Sequence, residues 1–161
     1  MKKVFIIMTV LANTLSALAV GVIDAATDFI AAEETFRATP YMCPGGQLTI
    51  GYGCTDKAVL AKGKLTQAEA RAVLRKRVEK EINWLHQEIP HLTGNQLVAV
   101  TSLVFNIGRP KFLRSKAYQC LKSRRLLRAV HEMEEFRLCQ GKVSRGLVAR
   151  RARERQIFLG C

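Results

Sequence analysis

Acidic side chains are scarce in this sequence: 13 Asp and Glu stand against 26 Lys and Arg in 161 residues, a net charge of +13. A field of that size attracts polyanions, and nucleic acid, anionic lipid and carboxylate-rich cell wall all satisfy it. Histidine is rarer still. His86, His91 and His131 stand at no ligand spacing with the cysteines, and no Cys-x2-Cys pair occurs. That excludes a zinc centre of the usual pattern, so neither metal nor cofactor is expected. A glycine-rich phosphate loop and a serine nucleophile elbow are both missing, which removes the chemistries built on them. There is no internal repeat and no low-complexity tract. What remains, 48% hydrophobic and 24% charged, is a folded chain with room for one domain or two small lobes.

The charge is uneven. Between Arg109 and Arg155 there are 15 basic and 4 acidic residues. At the other end, Lys2 and Lys3 precede an uncharged run from Val4 to Ile23, and the first acid is Asp24. Ala17-Leu18-Ala19 supplies a small-x-small cleavage pattern, so residues 1–19 read as an export signal whose removal leaves a chain starting at Val20 with charge +11. Twenty uncharged residues also suffice for an uncleaved membrane anchor over 4–23, although Asn13, Thr14, Ser16 and Gly21 weaken it. Cys43, Cys54, Cys120, Cys139 and Cys161 all lie beyond this segment. Their odd number leaves at least one thiol free or paired between molecules. In an oxidising compartment disulfides are expected; small buried apolar thiols are the plainer reading.

Periodicity organises the remainder. Ile23, Ala26, Ile30 and Glu34 follow one helical stripe, which puts Glu34 on the apolar face one turn beyond Ile30. Pro40, Pro44, Gly45, Gly46, Gly51 and Gly53 then punctuate short alternating runs, the pattern of a tight β-hairpin or a small three-stranded sheet. Thr66 and Glu69 form a capping box, and the helix they open meets no glycine or proline before Pro90. Roughly two dozen residues at 1.5 Å each span more than 30 Å, long enough to join two lobes. Leu74, Val78, Ile82 and Leu85 mark its buried side, and Trp84 beside Leu85 reads as an anchor of that helix. Gln96 to Ile107 is an apolar helix stopped by Gly108 and Pro110. Basic amphipathic helices follow from Phe112 to Phe158, interrupted near Gln140-Gly141-Lys142. The expected class is α+β: a β-hairpin lobe over about 36–62, a connecting helix over about 66–89 and a helical lobe over about 93–161. These form one catalytic domain over 20–161.

Chemistry concentrates in the spacing Glu34-x8-Cys43-x5-Thr49. A carboxylic acid at a helix end faces a thiol and a hydroxyl on a glycine-rich hairpin. Proton donor, base and water-positioning hydroxyl are what glycosidic hydrolysis requires, although the second group is usually a carboxylate. Glu34 is the expected general acid, its apolar face keeping it protonated until it donates. Glu33 is the rival by adjacency, one residue out of spacing. Cys43 would serve as base or electrostatic stabiliser; a thiol is mostly protonated at neutral pH, so it needs basic surroundings. Thr49 would position water.

With these residues the chain resembles the T4-type phage lysozymes, the endolysins or muramidases of glycoside hydrolase family 24. The resemblance runs from about Asp24 to Gly160. It is carried by the triad, by Thr49-Ile50-Gly51-Tyr52-Gly53, by Leu103-Val104-Phe105-Asn106-Ile107-Gly108, and by Gly146-Leu147-Val148-Ala149-Arg150-Arg151 with Glu154 and Phe158. It implies a lysozyme-like fold and an exported muramidase that cleaves the β-1,4 bond between N-acetylmuramic acid and N-acetylglucosamine, with inversion. It implies Arg150 beside the catalytic glutamate, with Arg151 a near-equal candidate, and Phe105 and Asn106 along the cleft. Peptidoglycan is the expected partner, with transient membrane contact through the leader, no nucleic acid and a monomeric state.

One departure stands out. The family usually has His after Gly-Tyr-Gly, where this chain has Cys54. A Cys43–Cys54 disulfide would remove the catalytic thiol. Some membrane-tethered members are caged in this way and released by a thiol in the anchor, but residues 4–23 hold no cysteine. Two other classes compete with the enzyme: a wall-binding pseudo-lysozyme, and a chain whose basic helices act directly on anionic membranes or nucleic acid.

Overall fold

A computed structural model describes residues 20–43 and 46–161. The expected signal, residues 1–19, and most of the alternative anchor over 4–23 lie outside the described residues. Among the described residues no helix is long and apolar enough to cross a membrane.

The first helix, α1, is described over 20–33. Its stripe of Ile23, Ala26 and Ile30 is buried, and the Thr27 hydroxyl donates to the Ile23 carbonyl at 2.7 Å. The Glu34 amide still reaches the Ile30 carbonyl at 3.0 Å, so Glu34 leaves the helix with its direction set by that last turn. Strands β1 (Arg37–Met42) and β2 (Leu48–Gly51) pair antiparallel, with Tyr41 opposite Thr49 and Met42 opposite Leu48. Of the two forms expected, the two-stranded hairpin is the one present. Gly51 and Gly53 adopt φ of +66° and +73°, turning the chain back so that Cys54 makes only an isolated bridge to Ile50. Asp56 then caps the short helix α2 (Lys57–Leu60), accepting from the Ala58 and Val59 amides at 2.8 and 3.3 Å. A cap so soon after the turn leaves no length for a third strand.

Helix α3 (Gln67–Glu88) opens on the capping box seen in the sequence, with Thr66 and Glu69 bonded reciprocally. It belongs to two cores. Ala70, Leu74, Val78 and Ile82 pack with Ile23, Ala26, Ile30, Ile50, Tyr52 and Leu65. Leu85 packs instead with Ile89, Val100, Leu103, Phe112, Leu121 and Phe158. Helix α4 (Gly94–Ile107) is buried without interruption from Leu97 to Val104 and ends at Gly108, φ +82°. Around it lie α5 (Arg109–Leu113), α6 (Lys116–Lys122), α7 (Leu126–Glu134) and α8 (Arg145–Leu159). Trp84 packs edge-on to Phe112 at 6.3 Å, with the Arg109 guanidinium 4.5 Å above its ring.

The interruption expected near Gln140-Gly141-Lys142 takes the form of a hairpin, β3 (Leu138–Cys139) with β4 (Lys142–Val143). Gln140 and Gly141 both take positive φ, +51° and +76°, the conformation of a two-residue type I′ turn. Two-residue strands are too short to show alternation in sequence.

Gly51 shows how tightly the β lobe sits on α3. A Cβ there would lie 3.0 Å from the Ala70 Cβ, in a left-handed backbone conformation; at Gly53 the conformation is similar but nothing lies within 4 Å. Gly51→Ala is therefore expected to cost about 2–4 kcal/mol and Gly53→Ala only about 1–2 kcal/mol. Urea unfolding of the two variants checks the order, and equal losses would mean that the Ala70 contact is easily relieved.

Candidate active site

Helix α8 begins at Ser144, whose hydroxyl accepts from the Leu147 amide at 3.4 Å, and ends on left-handed Gly160. Between these caps its inward face carries Arg150, Arg151, Glu154 and Phe158. Arg150, 5% exposed, donates through Nη1 to Glu34 Oε1 at 2.8 Å. Its Nη2 donates to the carbonyl and hydroxyl of Ser102 at 3.3 and 3.2 Å, and its Nε to Glu154 Oε1 at 3.3 Å. Every edge of this guanidinium is used, so its position is fixed by α4 and α8 together.

Behind it, Glu154 is fully buried. Its Oε1 also accepts from the Ser102 hydroxyl at 2.6 Å and from Arg151 Nη2 at 3.0 Å. Burial pushes its carboxyl above the ordinary carboxylate range, against the opposing pull of Arg151, Ser102 and Arg150. Arg151 reaches Asn106 Oδ1 at 3.2 Å as well. It does not contact Glu34; that contact belongs to Arg150.

The two adjacent glutamates have separate partners. Glu33, with its side chain 8% exposed, receives Arg153 Nε and Nη2 at 2.6 and 2.8 Å. Those hydrogen bonds hold its carboxyl below the ordinary value, burial notwithstanding. Glu34 makes a single ion pair and keeps 28% of its side chain exposed. A carboxyl with one anchored and one open oxygen is able to meet a substrate; a bidentately clamped one is not.

The other residues expected at the site lie on the hairpin and on α4. Directly opposed residues in an antiparallel pair share a face, and alternate residues along a strand do too. Tyr41 opposes Thr49, and the Cys43 amide bonds the Gln47 carbonyl at 2.9 Å. The pleat therefore puts Cys43 and Thr49 on one face, diagonal to each other. Thr49 is buried and donates its hydroxyl to the Tyr41 carbonyl at 3.3 Å, which leaves its lone pairs to accept. Cys43 is half-buried and Cys54 buried, both as free thiols, as are Cys120, Cys139 and Cys161; no Cys43–Cys54 bridge is present. Phe105 lies at the edge of the β-lobe core, with the Arg77 guanidinium 4.5 Å from its ring centroid. Asn106 is exposed.

Sequence reasoning missed Ser102 and Arg153 and gave Glu154 no role. The signal available was spacing: Glu154 stands three and four residues beyond Arg151 and Arg150, the separations at which helical neighbours meet. Among the described residues no cluster of His, Cys, Asp and Glu is arranged to hold a metal ion.

The Glu33–Arg153 pair ties α1 to α8, and its contribution depends on pH. A carboxyl whose folded value is depressed stabilises above its unfolded value, near 4.5, and loses that contribution as pH falls through the folded value. Glu33→Gln is expected to lower stability at pH 7 by about 1 kcal/mol. The gap from the parent should close as the pH drops below about 4.5. Thermal unfolding across that range checks it; a pH-independent gap would place the effect in packing.

Comparison with known proteins identifies the family. The phage lysozyme family model matches residues 31–154. The SAR-endolysin of Bacteriophage PS119 is 31% identical over 130 residues, covering 78% of this chain and 76% of that protein. The endolysin of Acyrthosiphon pisum secondary endosymbiont phage 1 is 32% identical over 130 residues, covering 78% and 88%. The muramidase domain of SpmX from Asticaccaulis excentricus superposes with a TM-score of 0.74 at 30% identity, over 84% of this chain and 95% of that one. The chain belongs to the phage lysozyme family, the lysozymes that act as glycoside hydrolases on peptidoglycan.

Proposed function

We propose that this lysozyme hydrolyses the β-1,4 bond between N-acetylmuramic acid and N-acetylglucosamine, with Glu34 as general acid, Cys43 as base or electrostatic stabiliser and Thr49 positioning water. The observation that carries the reading is the Glu34 carboxyl, open on one side and held on the other by a buried guanidinium that Ser102 and Glu154 also bind. An acid fixed to within a hydrogen bond, yet accessible, suits protonation of a leaving oxygen. Thr49, its hydrogen committed to Tyr41, is left as an acceptor for the attacking water. Cys43 on the same hairpin face supplies the second group if it is ionised. Arg150 orients Glu34, and Phe105 and Asn106 border the same region of α4.

The setting is an exported one. Lys2, Lys3 and the apolar run to Ile23 support a secretory or membrane-tethered leader, and relatives named SAR-endolysins match over 130 residues. Mass spectrometry of the secreted chain, with and without reductant, reads cleavage and thiol state together; an intact leader would assign the tether.

Glu34→Gln is expected to lower release of reducing ends from peptidoglycan by about 10²–10⁴-fold with unchanged circular dichroism. Cys43→Asp should retain activity and Cys43→Ala lose most of it. Full activity in Cys43→Ala would make the thiol a bystander. Tight wall binding by the parent without reducing ends would favour the pseudo-lysozyme.

A further inference from the structure

The face of α3 turned away from α1 holds cations that the fold does not use. Toward α1, Arg71 pairs with Asp28, and Arg75 with Asp24 at 2.8 Å. On the other side a groove of about 530 Å³ lies between α3 and the β lobe, bordered by Thr55, Asp56, Lys62, Lys76, Arg77 and Lys80. That volume is within the range of small-ligand sites. Lys76 and Lys80 are one helical turn apart and share a face. Neither they nor Lys62 takes part in an ion pair among the described residues, and Asp56, the one acid on the rim, is spent on capping α2. Arg77 is held in place, with Nη1 donating to the Gly53 carbonyl at 2.9 Å and its guanidinium stacked over Phe105. Four cations thus border one concavity, and one of them, Arg77, is tied to the Gly53 turn and to Phe105.

We propose that this groove is a binding subsite for the carboxylates of the peptide stems carried by the glycan. The proposal rests on the muramidase reading. Unpaired ammonium groups around a concavity await an anion, and the stems present carboxylates at intervals along the strand being cut. The Arg77–Phe105 stack links the groove to the helix that also carries Ser102 and Asn106, and Ser102 in turn holds the Arg150 that pairs with Glu34. The lysines act as mobile point charges and suit carboxylates at variable spacing; Arg77, already fixed, sets the inner end.

The test uses the full chain in a Glu34→Gln background and measures equilibrium binding to fluorescent glycan strands with stems and to the same strands stripped by an amidase. The Lys76→Glu/Lys80→Glu variant is expected to bind stem-bearing strands about tenfold more weakly and stripped strands as the parent does. The difference should fade at high salt. Lys76→Gln/Lys80→Gln, with an intermediate effect and an unchanged melting temperature, guards against misfolding. Equal weakening on both strands, or none on either, overturns the proposal, as does a parent that does not distinguish them. A single-stranded oligonucleotide displacing the stem-bearing strands at lower concentration than free stem peptide does would reassign the groove to phosphates and also overturn it. Continued cleavage of the strands by the Glu34→Gln protein would instead remove Glu34 as the acid, leaving the binding comparison to stand on its own.

Discussion

A buried guanidinium is the constraint on which the rest of this structure depends. Arg150 sits where α1, α4 and α8 meet, and a charge there is tolerable only with every donor matched. Ser102 and Glu154 supply the inner matches and Glu34 the outer one. Breaking one partner of such a buried arrangement typically costs about 3–5 kcal/mol, because the remaining charge is left uncompensated. Fold and site are thus coupled at a single side chain. The apolar packing that buries α4 from Leu97 to Val104 also brings the Ser102 hydroxyl and carbonyl to the point where Arg150 needs acceptors.

How much was legible in the sequence follows from the range over which each signal acts. Helix α1 announced itself through Ile23, Ala26 and Ile30, and with it the direction of Glu34. The Thr66–Glu69 cap and the Gly108 stop are local chemistry, readable over three or four residues. The α8 network is different. Glu33 and Arg153 are 120 residues apart, Glu34 and Arg150 116, and no local pattern assigns one glutamate to one arginine. Resemblance directed attention to Arg150, but the division of labour with Arg151 needed the fold. The β3–β4 hairpin showed only as an interruption because its strands have two residues each. Two strands rather than three form at β1–β2 because two glycine turns and the Asp56 cap follow one another too closely.

Charge tells a similar story at larger scale. An excess of 13 positive charges says only that something anionic is welcome. The structure divides the cations by use: Arg150, Arg151 and Arg153 hold the site together, Arg71 and Arg75 fasten α3 to α1, and Lys62, Lys76 and Lys80 fasten nothing. Composition cannot make that distinction. Cations of the last kind are available to a polyanion without loss to the fold.

Helix α3 passes from one core to the other between Ile82 and Leu85, within a single turn and with no break in its hydrogen bonding. Both lobes therefore share one angular register. At 3.6 residues per turn, one residue added between Ile82 and Leu85 would rotate everything upstream by about 100° relative to everything downstream. Glu34 and Glu33 would then turn away from Arg150 and Arg153 on α8. Length changes in this helix are admissible only in nearly whole turns, so among sequences sharing this architecture the spacing from Ala70 to Leu85 should vary far less than the loops at either end.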